Sequence, residues 1–378
     1  MRITARLLSD KEAVSEEYGN ANLMQSAPWG EFKWRRGHLR RRLILSTAQG
    51  RVALLGITRP VGPEQTCLYV PFGPELRLEP EERGPVLEAT AEAIGPKLPK
   101  NCVMVRFDLP WASPYTDPDY YDHDGEWLGP PQDRIRELRM NAATESRNLR
   151  KAPTDLNPPD TVVIDLRRRE DELLAAMRPK TRYNIRVAGR HGVSVTEMGL
   201  EGLEAWYRLY SETSERKSIV CEEESYFRDL FMTIGASDRS RPAGAEAPVF
   251  AATSLHLYGA WKHGRLLGGI ITAHHRRRAY YLFGAQSSED RAAMPSYALQ
   301  WHAIRRAKAA GCRWYDMFGI PPSGDAYHPM HGLYRFKIGF GGRKAHYSGT
   351  WDYPFSVDSY DELVQRQSAL GPYHTGTG

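Results

Sequence analysis

One succession of elements occurs twice in this chain, and that repetition restricts the fold more than any other feature. In the first half, 41–47, 51–58 and 66–70 read as strands, 80–98 as a helix and 102–109 as a fourth strand. In the second half, 255–261, 266–273 and 279–285 read as strands, 295–310 as a helix and 313–318 as a strand. Gln49-Gly50 supplies a turn between the first two strands, and Gly311 closes the helix at 295–310. A short helix is predicted over 26–36, where Ser26 can cap and Pro28 fits the first turn. The second half also carries a strand at 162–166 and helices at 179–191, 200–212 and 223–234. Residues 110–134 and 235–248 read as loops, and 152–160, with Pro153, Pro158 and Pro159, as a linker.

Three strands, a helix and a strand, used twice, give an α/β (α+β) chain built from two copies of one unit. The order resembles the GNAT (acyl-CoA N-acyltransferase-like) fold, so two tandem GNAT-like domains are expected. The first would cover 1–160, completed by the C-terminal tail 350–378, and the second 161–349. A length of 378 residues suits two domains of roughly 100–200 residues each.

Composition narrows the class. Hydrophobic residues make up 41% and charged residues 26%, an ordinary globular balance, and the net charge of +5 suits either a partner bearing phosphates or a solvated basic face with no partner. Cysteines at 67, 102, 221 and 312 are scattered, which supports neither a zinc site nor a disulfide framework, and no metal is expected. The first residues lack an apolar core of signal-peptide length, and the longest apolar stretch, 266–273, is too short to span a bilayer. The expectation is a cytoplasmic monomer with reduced thiols, with peripheral membrane contact left open.

A CoA-dependent enzyme needs a glycine-bearing turn whose backbone N–H groups hold the pyrophosphate at a helix N-terminus. After Ala285 the chain reads AQSSEDRAAMPSYALQW, without glycine, so CoA is not expected as donor and no cofactor is assigned. Arg178, Arg182, Arg186 and Arg190 recur every four residues, forming one stripe on a helix, with Tyr183 and Val187 turned toward a neighbouring face. Such a stripe is either a phosphate-binding face or a solvated one. The run from Tyr334 to Gly342 joins Phe336, Lys337 and several glycines. An aromatic can stack on a base, a lysine can meet a phosphate or an oxyanion, and glycine lets backbone pass close to a ligand. A strand ending in a turn is the plain alternative.

Four stretches resemble the Fem family of non-ribosomal peptidyl transferases, most closely its FemX-like members. They are QSAPWGEFK at 25–33, PKTRYNIR at 179–186, YYLFGA at 280–285, and YDMFGI at 315–320 running on to FKIGFG at 336–341. The resemblance spans nearly the whole chain. It implies an aminoacyltransferase that moves an amino acid from aminoacyl-tRNA to the stem peptide of a peptidoglycan precursor, UDP-MurNAc-pentapeptide or lipid II. It implies that Lys33 meets the acceptor's phosphates, and that Tyr226 and Tyr281 line the acceptor channel. Phe336 would stack on the terminal adenine, Lys337 would sit at the reacting ester, and Asp108 would lie close to the incoming amine. The tRNA phosphates would then fall to Arg182 and Arg186. One position departs from the pattern: Glu222 stands where some relatives carry an arginine for the acceptor's phosphates. The alternatives are a GNAT-fold N-acyltransferase acting outside the cell wall, or a precursor- or tRNA-binding protein without catalysis.

Overall fold

The computed structural model describes residues 3–9, 12, 21–113, 148–217, 220–235, 253–321, 324 and 326–369. The expected loops fall outside this set from residue 114 to 134 and from 236 to 248. Contacts divide the chain into two units, one of residues 1–159 with 346–377, the other of 160–345.

The first unit begins with β1 (Thr4–Leu7), α1 (Ala27–Arg35), β2 (Arg40–Thr47), β3 (Gly50–Pro60) and β4 (Thr66–Val70). It continues through α2 (Pro80–Ile94), β5 (Cys102–Asp108) and β6 (Arg150–Lys151). Helix α1 starts as its sequence dictates: the Ser26 hydroxyl accepts from the Trp29 N–H at 3.2 Å, and Pro28 occupies the first turn. It stops at Gly37, whose φ of +85° suits glycine. There the N–H groups of Gly37 and His38 turn back to the carbonyls of Trp34 and Lys33, satisfying two helix-end acceptors.

The second unit opens with β7 (Asp160–Asp165), α3 (Glu170–Ala176), α4 (Pro179–Arg190), β8 (Ser194–Met198), α5 (Leu203–Lys217) and α6 (Glu224–Ile234). The meander β9 (Thr253–Lys262), β10 (Arg265–His275) and β11 (Arg278–Gln286) follows. Then come α7 (Pro295–Ala309), β12 (Trp314–Gly319), α8 (His331–Ile338) and β13 (Arg343–His346). The last elements, β14 (Thr350–Pro354) and α9 (Val357–Ala369), return to the first unit.

Each unit is built on a seven-stranded mixed sheet, ordered β1-β2-β3-β4-β5-β14-β6 in one and β8-β9-β10-β11-β12-β7-β13 in the other. In both, an antiparallel meander leads through a helix into a strand parallel to its last member, β4 with β5 and β11 with β12. In the first unit, Leu87, Ala91 and Ile94 of α2 pack on Leu43, Leu54, Val105 and Phe107. In the second, α7 lays Leu299, Ala303, Ile304 and Ala307 on the sheet, a helical spacing of one face. Leu299 and Ile304 are fully buried, each contributing about 1.5–3 kcal/mol. A glycine lets α5 come close to one face of this sheet, while α7 on the other face stands at ordinary contact distance. A Cβ on Gly268 would stand 3.5 Å from Leu299 of α7, and one on Gly269 only 2.6 Å from the Trp206 ring of α5.

Candidate active site

The second sheet has a break in its middle. β11 and β12 pair from Arg278↔Trp314 only as far as Tyr280↔Asp316. Beyond that point both strands bulge. On β11, Leu282 is the extra residue between the partners of Ile271 and Thr272, and on β12 the register slips between Asp316 and Gly319. A bulge bends a strand and re-aims its side chains. In the first sheet the equivalent pair slips once, between Thr66 and Cys67, and then keeps its ladder from Cys67↔Met104 to Val70↔Phe107.

Lys337 stands at the parted strands. Its Nζ donates to the carbonyls of Phe318 (3.2 Å) and Gly319 (2.8 Å) at the end of β12. It also lies 5.3 Å from the centre of the Tyr281 ring on β11. Phe318 has a φ of +58°, a strained value for a residue with a side chain. Lys337 is only 5% exposed. Desolvation is the main reason its ammonium is weakened to a pKa of about 7; the Asp316 carboxylate acts against this, and the like charge of Lys217 adds to it. Burial likewise pushes the Tyr281 phenol up to about 12, with Gln300 working the other way. Gly284 leaves space for that phenol, since a Cβ there would meet the Tyr281 hydroxyl oxygen.

The structure therefore brings together two of the residues singled out in the sequence, Lys337 and Tyr281. Tyr226 belongs to another group of rings, the one formed by α5, α6 and β11. It packs against Phe227 (centroids 5.3 Å apart) and against Phe283 of β11 (6.1 Å), within an aromatic cluster that includes Trp206 and Tyr210. Phe336 is half-buried, edge-on to Tyr297 at 5.1 Å and to Phe340 at 5.3 Å. The segment carrying it is helix α8 rather than a strand with a turn. Its glycines approach the chain itself: a Cβ on Gly339 would strike the Thr181 hydroxyl, and one on Gly341 the Ala176 carbonyl.

Arg182 is drawn into the scaffold, donating to the carbonyls of Ala175 (3.2 Å) and Met177 at the end of α3, which complements that helix end. Arg178, Arg186 and Arg190 are exposed. Val187 is buried as expected, but Tyr183 stays outside, with Lys180 (5.4 Å) and Arg190 (5.7 Å) over its ring. Two members of the acidic run at 222–224 sit at the start of α6, Glu223 at the N-cap position without a side-chain capping bond and Glu224 in the first turn, where carboxylates suit the helix dipole.

In the first unit, Lys33 projects from α1 with its ammonium 5.5 Å from the Trp29 ring and 5.4 Å from Phe32. Asp108 ends β5 in a buried position. It accepts from the hydroxyls of Thr350 and Tyr69 and from Asn157 Nδ2 at 2.7 Å, and burial raises its pKa. Asp316 occupies the matching place in the second sheet. It accepts from the Thr161 hydroxyl across the neighbouring strand, from the Phe318 N–H (2.9 Å) and from Arg278 (3.2 Å). A threonine on the adjacent antiparallel strand thus holds an aspartate in each sheet. Asp316 is the carboxylate that acts on Lys337, and the sequence reading passed over it although it lies within the YDMFGI stretch.

Fold and site together define a two-sheet α/β protein with a desolvated cation set where two parallel strands part. The FemAB family model matches residues 11–237 and 261–362, and the chain belongs to that family. It is 21% identical over 417 residues to the lipid II:glycine glycyltransferase of Staphylococcus aureus (strain USA300), an alignment covering 96% of this chain and 94% of that one. Its structure is similar to the crystal structure of FemX, with a TM-score of 0.71 at 17% identity, covering 93% of this chain and 96% of that chain. At that identity the structural likeness establishes the fold.

Proposed function

We propose that this chain is a cytoplasmic aminoacyltransferase that moves an amino acid from aminoacyl-tRNA to the stem peptide of a peptidoglycan precursor, building the interpeptide bridge. Family membership over most of the chain carries the reading, and the place of Lys337 gives it a chemical centre. The curated relative acts, by its name, on lipid II, which favours a lipid-linked acceptor here. In the reaction the acceptor's neutral amine attacks the ester carbonyl of the charged tRNA. A C–N bond forms, the bond to the ribose oxygen breaks, and the amine's proton passes through water to the leaving hydroxyl. The ester is already activated, so no protein nucleophile is needed. We assign Lys337 to the oxyanion and the adjoining phosphate, Phe336 to the terminal adenine, and Tyr281 and Tyr226 to the acceptor channel. Arg186 serves the tRNA backbone; Arg182 serves it through the helix end that it holds. Asp108 is better suited to holding β5 to β14 near the acceptor than to taking a proton, because its oxygens already accept three hydrogen bonds.

The direct test is mass spectrometry of precursor incubated with the protein and a full set of charged tRNAs. The expected product is heavier by one or more amino-acid residues, and no gain with any tRNA would end the reading. A finer test concerns Lys33. Replacing it with alanine is expected to raise the acceptor's KM about ten- to a hundredfold, the worth of one charged hydrogen bond (about 1.5–3 kcal/mol), with little change in kcat. An unchanged KM for both nucleotide- and lipid-linked acceptors would remove Lys33 from the site.

A further inference from the structure

The surface at the end of α1 carries a combination that amino-acid transfer does not require. Between residues 31 and 42 the chain has six cations (Lys33, Arg35, Arg36, Arg40, Arg41 and Arg42) against one carboxylate, Glu31. Two large apolar side chains stand out of the same short stretch, Trp34 at 52% and Leu39 at 57% exposure. The tight helix end at Gly37 sets them close in the chain, because the backbone doubles back there through the His38 N–H to the Lys33 carbonyl (3.0 Å). Burial lowers the pKa of His38, and the like charges of Lys33, Arg59 and Arg36 around it add to the effect. Arg40 pairs with Glu31 and lies 5.4 Å over the Trp34 ring.

We propose that this rim, with Trp34 and Leu39 as its apolar points and Arg35, Arg36 and Arg40 around them, docks the first unit on an anionic lipid bilayer. An indole settles at the headgroup level, a leucine reaches the acyl boundary, and arginines meet lipid phosphates. The charge of the rim is complementary to such a surface. An RNA partner would use the cations, but it leaves Leu39 in water, and Arg40 already covers one face of the indole. The inference rests on the reading of a lipid-linked acceptor. Lys33 and Trp34 share the last turn of α1, so a bilayer held at this rim stands near the residue assigned to the acceptor's phosphates.

The test uses the full chain in vesicle flotation, without either substrate. Vesicles of phosphatidylcholine mixed with phosphatidylglycerol should carry the protein upward, pure phosphatidylcholine should carry far less, and added salt should weaken the binding. Trp34→Ala combined with Leu39→Ser should lower the partition about tenfold or more, and Arg35→Gln about fivefold, the worth of one basic residue at such a surface. All three side chains are exposed, so melting should not move. The double variant should keep its rate on a soluble nucleotide-linked acceptor and lose rate on a lipid-linked acceptor in vesicles. Docking is overturned if the wild type ignores lipid charge, if the double variant floats like the wild type, or if the substitutions weaken binding of charged tRNA instead. The two readings fail separately. A protein that floats yet transfers nothing keeps the docking surface and loses the transferase assignment. One that transfers to both acceptors and never floats loses the docking surface alone.

Discussion

Lys337→Met is expected to lower kcat by about two to three orders of magnitude, the usual loss of about 3–4 kcal/mol when one preorganised oxyanion contact is removed. Acceptor binding should survive, since the lysine is assigned to the transition state and not to the acceptor's ground state. The side chain is already desolvated and held by two carbonyls, so it needs no reorganisation as negative charge develops. Its weakened ammonium also gives the reaction a pH signature. The charged form prevails below about 7 and is lost as pH rises through that value, so a limb of falling kcat is expected on the alkaline side. That limb should disappear in Lys337→Met. If the variant keeps more than about a tenth of wild-type kcat, a loss under about 1.4 kcal/mol, the lysine serves structure alone.

The second large effect concerns stability. Asp352→Ala is expected to cost about 3–5 kcal/mol in denaturant unfolding, because it leaves a buried guanidinium without its counter-charge. Arg106 on β5 and Asp352 on β14 face each other across the ladder and form a two-pronged pair, Nε to Oδ1 and Nη2 to Oδ2, both at 2.7 Å. Both side chains are buried, and the Tyr360 hydroxyl adds a third bond to the carboxylate at 3.1 Å. The pair holds Arg106 charged against the pull of burial. Replacing both, Arg106→Met with Asp352→Leu, should recover most of the loss, because two apolar side chains need no partner. A single Asp352→Ala loss below about 1 kcal/mol would mean that water enters the site and solvates the arginine.

Local rules made part of this legible in the sequence. Ser26 and Pro28 announced α1, and the order of strands and helices announced two sheets of similar topology, because both depend on neighbours in sequence. The joint placing of Lys337 and Tyr281 followed from a family resemblance and not from spacing. Helix α8 was ambiguous because Tyr334, Phe336, Ile338 and Phe340 alternate with Arg335, Lys337 and Gly339, which is the period of a strand. In the folded chain Lys337 turns inward to the carbonyls of β12, a tertiary preference that no periodicity records. The bulges at Leu282 and before Gly319 were hidden for the same reason, since a register slip is a property of two strands. The Arg106–Asp352 pair spans 246 positions, and nothing local marks its members as partners.

That distance has a consequence for how the protein is made. The strand beside β5 is supplied by residues 350–354, which leave the ribosome only after all of the second unit has been synthesised. At about 5–20 residues per second, β5 waits roughly 10–50 seconds for β14. During that interval Arg106 has no Asp352 and one edge of β5 is without its backbone partners, a state that invites wrong pairings. The second unit is contiguous from 160 to 345; its own first strand, β7, also waits for β12, but that wait ends before β14 is made. The first half of the chain is thus translated first and completed last, which makes it the part most dependent on protection while it is being born.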